Sequence, residues 1–148
     1  MDKEKQFVEE FALYFEKSGF PRMPGRILAW LLICHPPHQS MNQLARALHA
    51  SKSSVSTGIR HLIEAGFAER ISFPGVRSDY VRLRAHFDTA SIERFIVRIS
   101  GFGIFAERWL SQLKDLPPAR LEKLKLMHKV NAFMGDAIAQ ALKQWEKK

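Results

Sequence analysis

The sequence predicts a mainly α-helical protein with one small β-hairpin. Apolar side chains recur at helical spacing through most of the 148 residues, whereas the stretch 67–84 contains segments that alternate as strands do. Hydrophobic residues make up 46% of the chain, which is enough to bury a core. A folded domain with helical extensions is therefore expected, and wholesale disorder is not.

The first two helices are predicted from the spacing of aromatic and apolar side chains. Residues 3–17 form an amphipathic pattern in which four rings recur on one side: Phe7, Phe11, Tyr14 and Phe15. Gly19 and Pro21 then end this helix. A second helix is expected over about 25–34, with Pro24 in its first turn. It is apolar almost all round, which predicts a buried central helix.

Two short helices are predicted next, and each begins after a serine. Ser40 can cap a helix over 41–49, and Ser51 can cap another over 52–65. Gly66 follows at the position where glycine commonly ends a helix. Because they are joined by the short segment His49-Ala50-Ser51, the two helices are predicted to form a helix-turn-helix.

Two strands are predicted directly after these helices. Residues 67–73 alternate in their first half, residues 80–84 alternate more regularly, and the segment 74–79 has Pro-Gly turn chemistry. A hairpin in this place is typical of a wing. The sequence therefore predicts a winged helix-turn-helix domain.

Two long helices are predicted to complete the chain, one from the candidate cap Asp88 to about Lys114 and one after Pro117-Pro118. Each has an apolar stripe at heptad-like spacing. The stripes are Ile92, Ile96, Ile99, Gly103, Ala106, Leu110 and Leu113, and then Leu124, Met127, Asn131, Met134, Ile138, Ala141 and Trp145. A small domain cannot cover both faces of such helices, so a homodimer is expected.

Three segments follow from these elements. Residues 1–18 are expected to be an N-terminal dimerisation helix, residues 19–87 the winged helix-turn-helix domain, and residues 88–148 the C-terminal dimerisation helices.

The positive charge is concentrated in the middle of the chain. The formal net charge is +8 and the pI is about 9.9. Residues 19–86 contain nine basic and three acidic side chains, and eight of the nine are arginine. Because arginine suits phosphate oxygens and guanine edges, nucleic acid is the first candidate partner. An ordinary basic surface would have the same charge.

The fourth predicted helix contains most of the residues expected to contact DNA. Its first turns combine a lysine with small hydroxyl side chains, which form helices poorly but permit close approach to a groove. At 3.6 residues per turn, they lie largely opposite Val55, Ile59 and Leu62. The predicted contact residues are Lys52, Ser53, Ser54, Ser56, Thr57, Arg60 and His61. The alternatives are local capping for the serines and a salt bridge to Glu64 for Arg60.

Two arginines of the wing complete the predicted DNA-binding set. Arg77 lies in the turn, where a cation can enter a minor groove or touch phosphates. Arg70 lies near the base of the wing and is a candidate phosphate contact. The alternatives are a solvated loop side chain for Arg77 and a strand-surface charge for Arg70. Weaker candidates for backbone contact are Arg22, Arg26 and Arg46.

Five motifs together resemble the DNA-binding core of MarR-type winged-helix regulators, with most similarity to the GbsR-like branch. They are G-F-P-R-x-x-G-R-I at 19–27, L-A-x-x-L at 44–48, S-K-x-S-V-S at 51–56, the glycine at 66, and P-G-x-R-x-x-Y at 74–80. The resemblance covers nearly half the chain. It implies a homodimeric, DNA-binding transcriptional regulator, here expected to be a ligand-responsive repressor at a pseudo-palindromic operator. Ser53 departs from the glycine common in this branch, which is expected to change a contact but not the fold.

An aromatic stripe on the first long helix has two interpretations. Phe95, Phe102 and Trp109 are seven residues apart, and Phe105 and Trp30 are expected nearby. These rings could form an effector pocket, such as an aromatic box for a quaternary ammonium. Packing between the domain and the dimer helices is favoured, because no acidic group clearly accompanies the stripe.

Several other functional classes are disfavoured. The single cysteine, Cys34, ends an apolar helix without a neighbouring resolving thiol, so a buried structural thiol is expected rather than a redox sensor. The charged N-terminus is not expected to be a signal peptide, and the longest apolar run, 27–34, is too short to span a bilayer. A cytoplasmic protein is expected.

An enzyme is also not expected. The sequence contains no nucleophile elbow, phosphate loop, metal-binding motif or pair of carboxylates in a plausible setting, so neither a cofactor nor a metal is predicted. The remaining alternative is a winged helix that binds protein rather than DNA. Such modules usually lack a cationic recognition face.

Overall fold

The computed structural model describes residues 2–148, and over this range the fold is mainly helical with one small sheet, as predicted. The six helices are α1 (Lys3–Lys17), α2 (Arg22–Ile33), α3 (Met41–Leu48), α4 (Lys52–Glu64), α5 (Ala90–Gln112) and α6 (Pro118–Glu146). The three strands are β1 (Gln39–Ser40), β2 (Ala68–Ile71) and β3 (Tyr80–Leu83). The chain divides into two compact units, one up to Asp88 and one over Thr89–Lys148.

The sheet contains one strand more than the predicted hairpin. Its order is β1-β3-β2, with both pairs antiparallel. β1 has only two residues, and Gln39 lies opposite Val81. So short a segment has no alternation that sequence analysis can detect. Val81 belongs to the central strand and is buried, which anchors the wing on the core of the first unit.

The helix α2 differs from its prediction at both ends. It begins at Arg22 rather than near Gly25, so that Pro24 is its third residue. Proline is tolerated there because the first amide groups of a helix have no intrahelical partner. The prediction that α2 is buried on all sides was wrong at its C-terminal end, where Leu32 and Ile33 are 38% and 41% exposed. Within this unit, α1, α3 and α4 pack against α2 and leave that end uncovered.

The helix α1 has the predicted bounds and packs against α2 within the first unit. Val8 and Ala12 are buried, whereas Leu13 and Tyr14 are exposed. The role of α1 in dimerisation stays a prediction.

The caps of α3 and α4 are those predicted from the sequence. Ser40 and Gln43 form a capping box, in which the Gln43 amide donates to Ser40 Oγ at 3.1 Å and the Ser40 amide donates to Gln43 Oε1 at 2.8 Å. The Ser54 amide donates to Ser51 Oγ at 3.2 Å. After α4, Gly66 has a φ of +84°, a conformation that favours glycine.

The helix α4 approaches α2 most closely at Gly58. A Cβ atom at this position would lie 2.5 Å from Ile27 Cδ1 and 3.2 Å from Met23 Cγ. Because Ile27 is fully buried, it cannot swing away. Only glycine therefore lets the two helices pack at this distance.

Substitution Gly58→Ala is expected to lower the free energy of unfolding by about 1–2 kcal/mol. Overpacking costs about 1–3 kcal/mol, and the better helix propensity of alanine offsets at most about 1 kcal/mol of it. Urea unfolding at fixed protein concentration measures the change. The matched control is Gly101→Ala in α5, where nothing lies within 4 Å of the new Cβ. This substitution should leave the free energy of unfolding unchanged or raise it. An equal effect of both substitutions would contradict the close packing.

The second unit consists of α5 and α6, which pack against each other. The N-cap of α5 is Thr89, so the predicted cap at Asp88 was wrong by one residue. Ile99, Ala106 and Gly135 are buried within the pair. Other apolar side chains on the two helices remain more than half exposed: Val97, Ile104, Leu126, Val130 and Phe133 among them.

The thiol of Cys34 lies half-buried at the end of α2. Its Sγ is 3.3 Å from the carbonyl oxygen of Pro36. Burial raises the pKa of the Cys34 thiol, which disfavours the reactive thiolate. This environment favours the structural interpretation over the redox one.

None of the helices over residues 2–148 combines the length and the apolar character that a membrane span requires.

Candidate nucleic-acid interface

The two sides of α4 differ sharply in exposure. Val55, Gly58, Ile59 and Leu62 are buried against the rest of the first unit. The predicted contact residues that are exposed on the other side are Lys52, Ser53, Ser54, Thr57, Arg60 and His61, while Ser56 is half-buried at the margin. One side of α4 thus holds the helix in the fold, and the other offers cationic and hydroxyl groups to a partner.

The hydroxyl groups at the start of α4 form a small cluster. Ser51 Oγ lies 3.2 Å from Ser53 Oγ and donates to Ser54 Oγ at 3.0 Å. The predicted alternative of local capping is therefore partly realised for these serines. A hydroxyl has one donor and two acceptor positions, so Ser53 and Ser54 keep capacity for a further hydrogen bond. Thr57 lies one turn beyond the cluster on the exposed side.

The loop of the wing is held by side-chain contacts at its base. Ser72 Oγ donates to Asp79 Oδ1 at 2.9 Å across the loop. The rings of His38, Phe73 and Tyr80 pack together, with centroids 5.0–5.2 Å apart. Arg77 is exposed within this loop, which agrees equally with a DNA contact and with a solvated loop side chain, so its contact with DNA stays a prediction.

The charged residues of the wing strands differ in their surroundings. Glu69 and Arg82 lie opposite each other in β2 and β3 and form a salt bridge of 2.9 Å. Arg70 lies opposite the buried Val81, yet Arg70 itself is exposed. Its charge is therefore accessible near the base of the wing.

Arg26, a weaker candidate for a DNA contact, instead connects three helices. Its Nε donates to Glu9 Oε1 on α1 at 2.8 Å, and its Nη2 donates to the carbonyl oxygen of Leu48 at the end of α3 at 2.7 Å. Arg22 also contacts Glu9, at 3.2 Å. This cluster has no local signal in the sequence, because its partners are far apart in the chain. The guanidinium of Arg26 is thus a structural group.

The two arginines also determine the ionisation of Glu9. Burial by itself would raise the pKa of this carboxyl, but the hydrogen bonds and charges of Arg26 and Arg22 outweigh burial and lower the pKa. A carboxyl with a lowered pKa stabilises the folded state above its unfolded-state pKa. This contribution is lost in acid, as the pH falls through the lowered pKa.

The residues of the predicted effector pocket have different surroundings in the two units. In the first unit, Trp30 donates to Gln39 Oε1 at 3.2 Å and borders a cavity of about 230 Å³. In the second unit, the rings of Phe102, Phe105 and Trp109 follow one another at 6.2 and 6.4 Å. Phe95 is half-buried, with Arg98 5.8 Å from its ring centroid. The pocket therefore stays a prediction.

A cavity of the second unit was not predicted from the sequence. It lies between α5 and α6, and its lining includes none of the four aromatic residues of α5 named in the previous paragraph.

Over residues 2–148, no group of three or more His, Cys, Asp or Glu side chains is placed to hold a metal ion.

Comparisons with known proteins agree on one family. A model of the MarR family matches residues 18–77. The transcriptional regulator MmpR5 of Mycobacterium tuberculosis, a helix-turn-helix protein, is 37% identical over 143 residues, which cover 97% of this chain and 87% of the relative. The transcriptional repressor OpcR of Bacillus subtilis is 24% identical over a region that covers 96% of this chain and 76% of the repressor. A crystal structure of a transcriptional regulator matches with a TM-score of 0.87 at 36% identity, over 99% of this chain and 100% of its own.

Proposed function

This chain belongs to the MarR family of winged-helix transcriptional regulators, and we propose that it binds an operator in double-stranded DNA as a homodimer, with α4 in the major groove and the wing beside it. The division of α4 into a buried and a cationic side is the observation that supports this function most directly. Such a helix can enter a groove without loss of its own packing.

The proposed division of labour follows from where each side chain lies. Ser54, Thr57 and Arg60 are exposed along α4 and would face base edges. Lys52 and the amide groups at the start of α4 would face a phosphate, since a helix N-terminus favours an anion. Arg70 and Arg77 would contact the DNA backbone or the adjacent minor groove from the wing. Ser53, Ser56 and His61 complete the proposed set.

A gel shift on generic duplex DNA at low salt tests the proposal at its simplest. Retardation is expected, because non-specific binding of a cationic surface to DNA is electrostatic. No retardation would instead favour a winged helix that binds protein.

Once DNA binding is established, selection of binding sites from a random DNA pool would identify the operator. We expect the operator to be pseudo-palindromic, because a two-fold dimer presents two equivalent recognition helices.

We expect the protein to be a homodimer built from α1, α5 and α6. Phe133 and Leu126 of α6 are 72% and 62% exposed, and burial of such side chains by a second copy is favourable. Light scattering should give twice the chain mass of 17.0 kDa. A monomer at micromolar concentration would contradict this.

Deletion of residues 117–148 should cause aggregation, since it removes α6 and exposes the apolar side of α5.

The finer assignment is to a ligand-responsive repressor of the GbsR-like branch, acting in the cytoplasm. The motifs at 19–27 and 74–80 support the branch, and the name of the similar repressor OpcR supports repression. An effector, if it binds at the aromatic residues Trp30, Phe95, Phe102, Phe105 and Trp109, should quench tryptophan fluorescence and release operator DNA. Quenching without release would contradict a regulatory role for that pocket.

Substitution Arg77→Ala should weaken binding to all duplexes by a similar factor. At the wing loop, phosphate charge and groove width matter more than base identity, so the loss should not depend on sequence. The salt dependence, as the slope of log K against log[salt], should become shallower by about one for each wing. Binding curves on the selected site and on a scrambled site measure both. A loss confined to the selected site would assign Arg77 to base recognition instead.

A further inference from the structure

The loop of the wing is long for a hairpin. It covers residues 72–79 between β2 and β3, and every residue in it is exposed. Hairpin loops commonly have about two to five residues, and loops are generally more mobile than the strands that they connect. A side chain on such a loop can contact a partner in one defined position only if other contacts fix the loop.

Phe73 attaches this loop to the rest of the first unit. Its ring centroid lies 5.0 Å from that of His38 and 5.2 Å from that of Tyr80, and the His38 and Tyr80 centroids are 5.2 Å apart. We call these three residues the ring cluster. Tyr80 packs edge to face with both of the other rings, which is a favourable arrangement for aromatic side chains. Because Phe73 is itself exposed, it contributes little to the buried core.

The ring cluster connects the loop to the start of the helix-turn-helix. His38 directly precedes β1, and Ser40 of β1 lies opposite Tyr80 of β3. Ser40 is also the N-cap of α3. One short segment thus contributes a ring to the cluster, pairs with the wing and begins the helix-turn-helix. A change in the direction of the loop would therefore break ring contacts to a segment that is fixed to α3.

The position of Phe73 also determines where Arg77 lies. Residues 73–76 form a turn in which the Val76 amide donates to the Phe73 carbonyl oxygen at 3.2 Å. Pro74 and Gly75 occupy its two central positions, and Gly75 has a φ of +77°, as in a type II turn. Proline and the hydrogen bond make this turn stiff. Arg77 follows the turn directly, so its backbone is separated from the ring cluster by a rigid segment.

We propose that Phe73 is a positioning residue for DNA binding. Through the ring cluster it fixes the direction of the wing loop, so that Arg77 contacts the DNA backbone while α4 lies in the major groove. A loop that is already fixed loses less conformational entropy when it binds than a mobile loop does. This inference rests on the proposed function, in which Arg77 makes the contact and Phe73 acts through it.

Limited digestion of the full chain with trypsin tests the fixed loop without DNA. Trypsin cleaves after Arg77, and the rate of cleavage reports how often the loop opens. Phe73→Ala removes two ring contacts and should raise this rate about tenfold. Phe73→Tyr keeps the ring and should be cleaved at nearly the parent rate. Mass spectrometry identifies the cleaved bond, and equal rates for the parent and Phe73→Ala would overturn the proposal.

A double-mutant cycle tests whether Phe73 acts through Arg77. Fluorescence anisotropy on one generic duplex at low salt gives the affinities of the parent, Phe73→Ala, Arg77→Ala and the double variant. Phe73→Ala should weaken binding severalfold, by no more than Arg77→Ala does, and should make the salt dependence shallower. The double variant should bind as Arg77→Ala does, because the direction of the loop no longer matters without the guanidinium. Losses that multiply in the double variant would overturn the proposal.

The matched control is Val76→Ala, which removes an exposed apolar side chain of the same loop outside the ring cluster. It should leave DNA affinity nearly unchanged, and a loss equal to that of Phe73→Ala would overturn the proposal. Circular dichroism checks the fold of each variant. If Phe73→Ala fails to fold, His38→Ala takes its place in both experiments, since it removes the opposite ring of the cluster and should have the same effects.

The parent chain separates this inference from the proposed function. Failure of the parent to bind any duplex would overturn the proposed function and the role of Phe73 with it. Binding by the parent together with unchanged binding by folded Phe73→Ala would overturn this inference alone.

Discussion

Replacement of Arg60 by alanine is expected to weaken operator binding by about 1–3 kcal/mol for each half-site, which is about 2–6 kcal/mol for a symmetric dimer. Arg60 is exposed on the side of α4 that we assign to the major groove, where a guanidinium can donate two hydrogen bonds to guanine. The variant should also lose base preference at one symmetric pair of operator positions. Binding curves on the selected site and its single-base variants measure both effects.

The matched control for this prediction is Arg120→Ala. It removes the same charge from an exposed position of α6, far in sequence from the helix-turn-helix. Its effect on operator binding should be small. Both variants should fold like the parent, because neither side chain is buried. If Arg60→Ala lowers the affinity for operator and scrambled DNA equally, Arg60 only contacts phosphates, and specificity must come from Ser54, Ser56, Thr57 or DNA shape.

The affinity for DNA is also expected to fall about 10³- to 10⁵-fold between 50 and 200 mM salt. This estimate assumes that the dimer neutralises about 6–10 phosphates, each of which contributes about −0.9 to the slope of log K against log[salt]. The excess of arginine over acidic residues in 19–86 provides these charges. Fluorescence anisotropy at several salt concentrations measures the slope. A slope near −2 would mean that this segment is not the DNA-binding surface.

Local sequence patterns were sufficient to predict most of the fold. The caps Ser40 and Ser51, the glycine at 66 and the bounds of α1 all depend on neighbours within a few residues, and these are visible in the sequence. The exposed side of α4 was predicted correctly for the same reason, because helical periodicity alone separates Arg60 from Ile59. Such features follow from the chain itself and need no tertiary information.

Features that depend on distant contacts could not be predicted. The strand β1 exists only because Gln39 pairs with Val81, which lies 42 residues later. The contact of Arg26 with Glu9 and with the Leu48 carbonyl likewise joins three helices. The exposure of Leu32 could not be inferred either, because apolar content does not indicate which neighbours cover a helix. The cavity lined by His128 exists only because α5 and α6 pack against each other. The spacing of apolar residues along either helix does not specify that packing.

The close approach of α2 and α4 at Gly58 has an evolutionary consequence. The backbone of α4 at this glycine, rather than an exchangeable side chain, sets the distance between the helices, so position 58 tolerates no other residue without cost. The exposed positions 53, 54, 57 and 60 have no such constraint. Under the proposed function, a duplicated gene could acquire a new operator through a few substitutions at these positions while its fold stays unchanged. Target preference would then diverge among paralogues faster than the scaffold that presents it.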